Sequence, residues 1–160
     1  MSDSHADSIF LHDPVADAPG WLHWDLHDDS RFNALLGRVQ LQMAADGGPS
    51  LVRMMPERRH SNLQDNLHGG ATLAFLDIAL FAGCRGLDID LGIGPVTLDV
   101  QCQFTGAGQA GHWLTAEVYL VRETYRMVFL RGQMVQDLPG QDRLVISNFT
   151  GLLKKGKSAG

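Results

Sequence analysis

Between Val96 and Phe104 apolar and polar residues alternate: Val96, Leu98, Val100, Cys102 and Phe104 against Thr97, Asp99, Gln101 and Gln103. A period of two is the mark of a β-strand with one buried face. Strand-like segments also occupy Arg38–Ala45 and Leu51–Met55, divided by the turn residues Asp46-Gly47-Gly48-Pro49, which predicts a hairpin. Two more, at His112–Arg122 and Tyr125–Gln136, are joined by a very short connection, and Leu138-Pro139-Gly140 turns into a last one at Arg143–Leu153. The run from Ala71 to Gly83 is different. It is too long for an ordinary strand, rich in Ala and Leu, and apolar except at Thr72 and Asp77, so it predicts a helix enclosed on every side. Trp21, Trp24, Phe32, Leu35 and Leu36 recur at roughly helical intervals and predict another helix, clearest in its second half and ended by Gly37.

One buried helix followed by a meander of long antiparallel strands points to an α+β fold whose sheet curls around the helix. At 160 residues the chain has the size of one domain. Residues 1–20 mix Asp, Ser, His and Pro with few large apolar groups and are expected to form a mobile tail; the domain then runs over 21–155, and 156–160 form a frayed end. Hydrophobic residues make up 44% and charged residues 19%, which suits a packed core and argues against disorder. A net charge of −5 lacks the basic surface that nucleic acid requires. The apolar run is too short to cross a bilayer and carries Asp77 in its middle, so no membrane partner is expected. No basic segment followed by an apolar core opens the chain, so a cytoplasmic location is expected, with Cys84 and Cys102 as packed thiols.

Asp77 is the residue that most requires an explanation, because a carboxylate inside an apolar helix is costly unless it is paired, hydrogen-bonded or in contact with water. Such a group can attack a carbonyl or activate water; equally, it can be a buried Asp bonded to Thr72 or to backbone. Gly69-Gly70 stands where free helix N–H groups can stabilise an oxyanion, or where a tight turn needs glycine. At ~1.5 Å per residue, this pair and Asp77 lie on the order of 10–12 Å apart along one helix. One chain cannot easily bring both to the same carbonyl. A two-fold dimer with antiparallel central helices does.

The segment Asn62-Leu-Gln-Asp-Asn-Leu-His68-Gly69-Gly70, followed by Asp77 after Ala-Thr-Leu-Ala-Phe-Leu, resembles the motif of hotdog-fold thioesterases of the phenylacetate-pathway (PaaI-like) type. Phe32 to Gly37 is similar to that family's opening Phe…Leu-Gly, and Gly94-Pro-Val-Thr97-Leu-Asp-Val100 to its strand after the helix, so the resemblance covers about Phe32 to Leu153. It implies a hotdog fold, a homodimer or homotetramer with sites shared between subunits, and hydrolysis of acyl-CoA thioesters with no metal and no cofactor. Carried over by position, Asp77 is the nucleophile or general base and the Gly69 N–H polarises the carbonyl, with Gly70 beside it. Asn62 and His68 orient the carbonyl or the water, and Thr97 holds water near Asp77. His68 also reads as a cap at the helix start, and Thr97 as an ordinary strand residue. Arg122 and Arg126, with Lys154 and Lys155, are candidates for the CoA phosphates by charge alone; a solvated surface is the other reading. The stretch from Leu87 to Gly94, with Asp88 and Asp90, is longer than a minimal version and is expected to alter the acyl pocket.

Other signals are weaker. His23 and His27 have the i, i+4 spacing of a zinc site on a helix, but no third ligand accompanies them. The glycines between Gly106 and Gly111 lack a GK[ST] signature, and no G-x-S-x-G elbow supports a serine hydrolase. Two alternatives remain: a non-catalytic acyl-CoA-binding or assembly protein, and a hotdog dehydratase or hydratase. The intact His68-Gly69-Gly70 and Asp77 argue against both.

Overall fold

A computed structural model describes residues 9–158. Among the described residues a single α-helix, α1 (Gly69–Gly86), packs into the concave face of a seven-stranded antiparallel sheet. After β1 (Phe10–Leu11), β2 (Leu22–His23) and β3 (Asp25–Leu26) come β4 (Val39–Gln42) and β5 (Ser50–Met54), and after α1 the long strands β6 (Val96–Phe104), β7 (Leu114–Glu123), β8 (Met127–Gln136) and β9 (Leu144–Lys154). The order across the sheet is β2-β4-β5-β7-β8-β9-β6, which leaves β6 at one edge. This is the expected hotdog arrangement, and the hairpins fall where the turn residues place them. No helix among the described residues is long and apolar enough to cross a membrane.

The helix reaches the sheet closely because small residues line the contact. Gly83 lies against Val118 and Gly86 against Ser50, so an added Cβ would collide with either neighbour. The helix therefore continues one turn past Gly83, its expected end. Phe75, Leu76, Leu80 and Cys84 fill the core with Leu41, Val52, Met54, Leu114, Leu130 and Leu153. Burial pushes the pKa of the Cys84 thiol up to about 12, so it behaves as a small apolar group.

Three expectations change. The first half of the predicted N-terminal helix is extended as β2 and β3, and only Phe32–Leu36 is helical, as a 3-10 helix ended by Gly37 at φ 73°. His23 and His27 therefore do not share a helix face. Of the expected tail, residues 9–20 are folded onto the domain: Val15 is buried, and Phe10 in β1 stacks on Trp24 at 4.2 Å. Residues 1–8 lie outside the described residues. The Arg53 guanidinium sits between the rings of Trp21 and Trp113, at 3.8 and 4.1 Å, and pins this N-terminal segment to the sheet. At the other end, Gly156 and Lys157 are not frayed but are hydrogen-bonded to Leu91 and Ile93; residues 159–160 lie outside the described residues.

Candidate functional site

The segment before α1 is shaped by its own side chains. The Asn62 side-chain oxygen accepts the N–H groups of Gln64 and Asn66, at 2.9 and 3.1 Å. Asp65 adopts φ 59°, a left-handed conformation that Asp tolerates, and the chain folds back so that the Asn66 carbonyl accepts the Asn62 N–H at 2.7 Å. His60 clamps the segment from below: its Nδ1 accepts the Glu57 N–H and its Nε2 meets the Leu35 carbonyl, both at 2.8 Å. Sequence reasoning passes over His60, since nothing local shows that it is buried.

His68 caps the helix. Its Nδ1 accepts the Gly70 N–H at 2.9 Å, and its carbonyl accepts the Thr72 N–H at 3.0 Å. An accepting Nδ1 fixes the neutral ring as the tautomer with its proton on Nε2. The two glycines have different explanations. A Cβ on Gly70 would lie 3.0 Å from His68 Nδ1 and crowd the cap. On Gly69 it would meet only the Phe104 ring at an ordinary 3.5 Å, and Gly69 has no positive φ. Neither the turn nor a neighbour in this chain requires glycine at 69. Among the described residues no acceptor takes the Gly69 N–H, which stands at the positive end of the helix.

Asp77 is exposed in the single chain, which corrects the expectation of a wholly enclosed helix. The sheet wraps only one side of α1; on the other, Gly70, Leu73 and Asp77 share a face, and Leu73 is 42% exposed. Asp77 Oδ1 accepts a 2.7 Å hydrogen bond from Thr97 Oγ1. That contact depends on an irregularity in β6. Thr97 pairs with Leu153 and Asp99 with Leu152, so Leu98 is an extra residue in the strand. The bulge shifts the alternation and puts Thr97 on the side that Val100 and Cys102 share, toward the helix. Strict alternation would have aimed it away.

The structure thus joins Thr97 to Asp77 and His68 to Gly70. It does not bring Gly69 to Asp77, which are separated along one unbroken helix. Arg122 and Arg126 are both exposed. Arg126 lines an open cleft of about 1140 Å³, together with Lys154, Lys155 and Lys157; Arg122 does not. The cleft runs past Val96, next to Thr97. A smaller cavity of about 330 Å³ lies by Asp25, Asp28 and Asn33. There the Asp28 carboxyl is held below its usual range by the Ser30 hydroxyl and Arg31, so it serves its own loop.

Residues 64–141 match the family model described as the thioesterase superfamily. No curated protein sequence matches the chain. Among solved structures, the PaaI protein from the phenylacetic acid degradation operon of E. coli superposes with a TM-score of 0.65 at 20% identity, over 82% of this chain and 87% of that one. A hypothetical thioesterase of Streptococcus pneumoniae, solved with coenzyme A, gives 0.62 at 17% identity, over 76% and 88%. A mutant of the phenylacetic acid degradation protein PaaI from Thermus thermophilus gives 0.60 at 22%, over 78% and 98%. At these identities the likeness establishes a shared hotdog fold.

Proposed function

We propose that this hotdog domain is an acyl-CoA thioesterase and that Asp77 is its catalytic carboxylate. The observation that carries this reading is the 2.7 Å bond from Thr97 to Asp77 on the uncovered face of α1, in a chain whose residues 64–141 match the thioesterase superfamily model. A carboxylate fixed by a hydroxyl donor and open on its other side is placed to attack a thioester carbonyl or to take a proton from water. The Gly69 N–H, without an acceptor of its own, would stabilise the oxyanion that forms as the C–S bond lengthens. Water then supplies the hydroxyl of the free acid, and its other proton leaves with the CoA thiol. His68 holds the helix start in shape, and Asn62 holds the loop that leads to it.

Since Gly69 and Asp77 cannot meet within one chain, the site is completed by a second copy. The edge strand β6 and the uncovered helix face supply the surface, where Leu73, Val96 and Leu98 are 42%, 48% and 49% exposed. An unpaired edge lined with apolar groups calls for a partner strand, and a two-fold axis there sets the helices side by side, as a dimer or as half of a tetramer. The unpaired Cys84 and Cys102 suit a reducing cytoplasm.

Thiol release from a panel of aromatic and aliphatic acyl-CoA esters tests the proposal. We expect turnover of at least one ester and a fall of roughly 10²-fold or more in Asp77→Asn, the usual scale for losing a catalytic acid or base. Binding without turnover would favour a non-catalytic acyl-CoA carrier, and near-normal activity of Asp77→Asn would remove Asp77 from the chemistry.

A further inference from the structure

The glycine-bearing loop between β6 and β7, which carries no phosphate-binding signature, lies against the segment that leads into α1. The Gly108 carbonyl accepts the Leu67 N–H and the Pro56 carbonyl accepts the Gly111 N–H, each at 2.8 Å. Asn66 and Gln109 stand opposite each other as an antiparallel pair. The next amide along, His68 N–H, donates to the His60 carbonyl, also at 2.8 Å. The two residues before Gly69 are therefore held by two carbonyls, one of which belongs to this loop.

A loop that contains Gly106, Gly108 and Gly111 loses much backbone freedom on ordering and has to be fixed from outside. Gln136, the last residue of β8 and 1% exposed, supplies the fixing. Its Oε1 accepts the Gln109 N–H at 2.7 Å, and its Nε2 donates to the carbonyls of Gln109 and His112, at 2.9 and 3.0 Å. The whole amide of a buried side chain is thus committed to the backbone of one loop, and a buried amide persists only when satisfied in this way. Gly108 joins the two ends of the linkage. A Cβ there would lie 2.7 Å from the Leu67 side chain and 3.2 Å from Gln136 Oε1. Leu67 is itself packed in the core, so a shift of the loop passes to Leu67 instead of being absorbed.

We propose that Gln136 is a positioning residue for the start of α1: through Gln109 and Gly108 it holds Leu67, and through Leu67 it sets the direction of the Gly69 N–H. This rests on the reading of that N–H as the oxyanion donor. The Gly69 N–H has no acceptor of its own among the described residues, so its aim depends on the residues before it. A donor of this kind stabilises developing charge only when it is aimed in advance, and a misplacement of about 1 Å can cost on the order of 10²-fold in rate.

Gln136→Met keeps most of the side-chain bulk and removes all three hydrogen bonds. Assayed well below its melting temperature on the best acyl-CoA ester, it should lose roughly 10- to 100-fold in kcat with KM within about twofold of native, because the donor acts on the transition state rather than on the bound ester. Amide hydrogen exchange gives a readout that needs no turnover: the rates at Leu67 and Gly70 should rise at least about tenfold more than the rate at Leu80, in the middle of α1. Gly108→Ala leaves Gln136 unchanged and should act in the same way from the Leu67 side, which covers the case in which Gln136→Met does not fold. Gln109→Ala should match the native protein throughout, since Gln136 grips that residue by its backbone and the Gln109 side chain is exposed. A native kcat in Gln136→Met, or faster exchange spread evenly along α1, would reduce Gln136 to support for the fold and overturn the proposal while leaving the thioesterase reading standing. Faster exchange confined to the helix start, in a protein that hydrolyses no ester, would support the linkage and overturn the catalytic reading.

Discussion

Thr97 shows how a single residue can be conspicuous and still mislead. Its identity marks it by resemblance, but strict alternation along β6 assigns it to the polar face with Asp99 and Gln101. The bulge at Leu98 reverses that, and no local feature of Thr97-Leu98-Asp99 announces an extra residue. Asp77 misleads in the opposite direction. An apolar run on both sides of it describes a helix covered all round, yet the sheet covers only one side of α1 and leaves Asp77 exposed. Because Thr97 Oγ1 donates to the carboxylate at 2.7 Å, replacing the hydroxyl with a methyl group of similar shape isolates this bond. A hydrogen bond to a charged group is worth about 1.5–3 kcal/mol, so Thr97→Val should lower kcat by roughly 10- to 100-fold while the protein melts within a few degrees of the native temperature. Steady-state kinetics on the best ester decides it: an unaltered kcat would reduce Thr97 to an ordinary strand residue.

Among the elements, the long strands and the central helix are legible because each satisfies one period over many residues, and turn residues mark the hairpin between β4 and β5. The first half of the segment over Trp21–Leu36 is not. Its aromatic residues recur at helical intervals, yet the two tryptophans are positioned by distant contacts, Trp24 by Phe10 and Trp21 by Arg53, and such contacts leave no trace in local spacing. The apolar run ends at Gly83 while the helix continues to Gly86, since glycine here answers to the sheet rather than to the helix. Gly86 makes the sharper test. Alanine there gains about 1 kcal/mol of helix propensity, but its Cβ would overlap the buried Ser50 side chain and come within 3.2 Å of the Gln42 carbonyl. Overpacking a filled site costs about 1–3 kcal/mol, so packing outweighs propensity, and Gly86→Ala should lower the melting temperature by several degrees. Adding Ser50→Gly should recover part of that loss. A variant more stable than the native protein would show that helix and sheet can move apart here at no cost.

At the scale of the whole molecule, the unbroken helix sets the terms. Gly69 and Asp77 are separated by on the order of 12 Å along α1, so a catalytic unit that uses both must draw them from different chains. The loop held by Asn62 and the helix start it leads to then belong to one subunit, and Asp77 with Thr97 to the other. Two impaired variants, Asp77→Asn and Asn62→Ala, can be co-expressed with different tags and the mixed dimer purified; Asn62→Ala removes the oxygen that holds the Gln64 and Asn66 N–H groups. In the mixed dimer one site receives both lesions, and the other receives the intact Asp77 of one chain and the intact loop of the other. A closed two-fold dimer has two equivalent sites, so about half of the native activity should return, although each parent is nearly inactive. If both groups of a site came from the same chain, every site would keep one lesion and nothing would be recovered. A mixed dimer no more active than its parents would therefore refute the shared site while leaving the Asp77→Asn result to judge the catalytic role of the carboxylate.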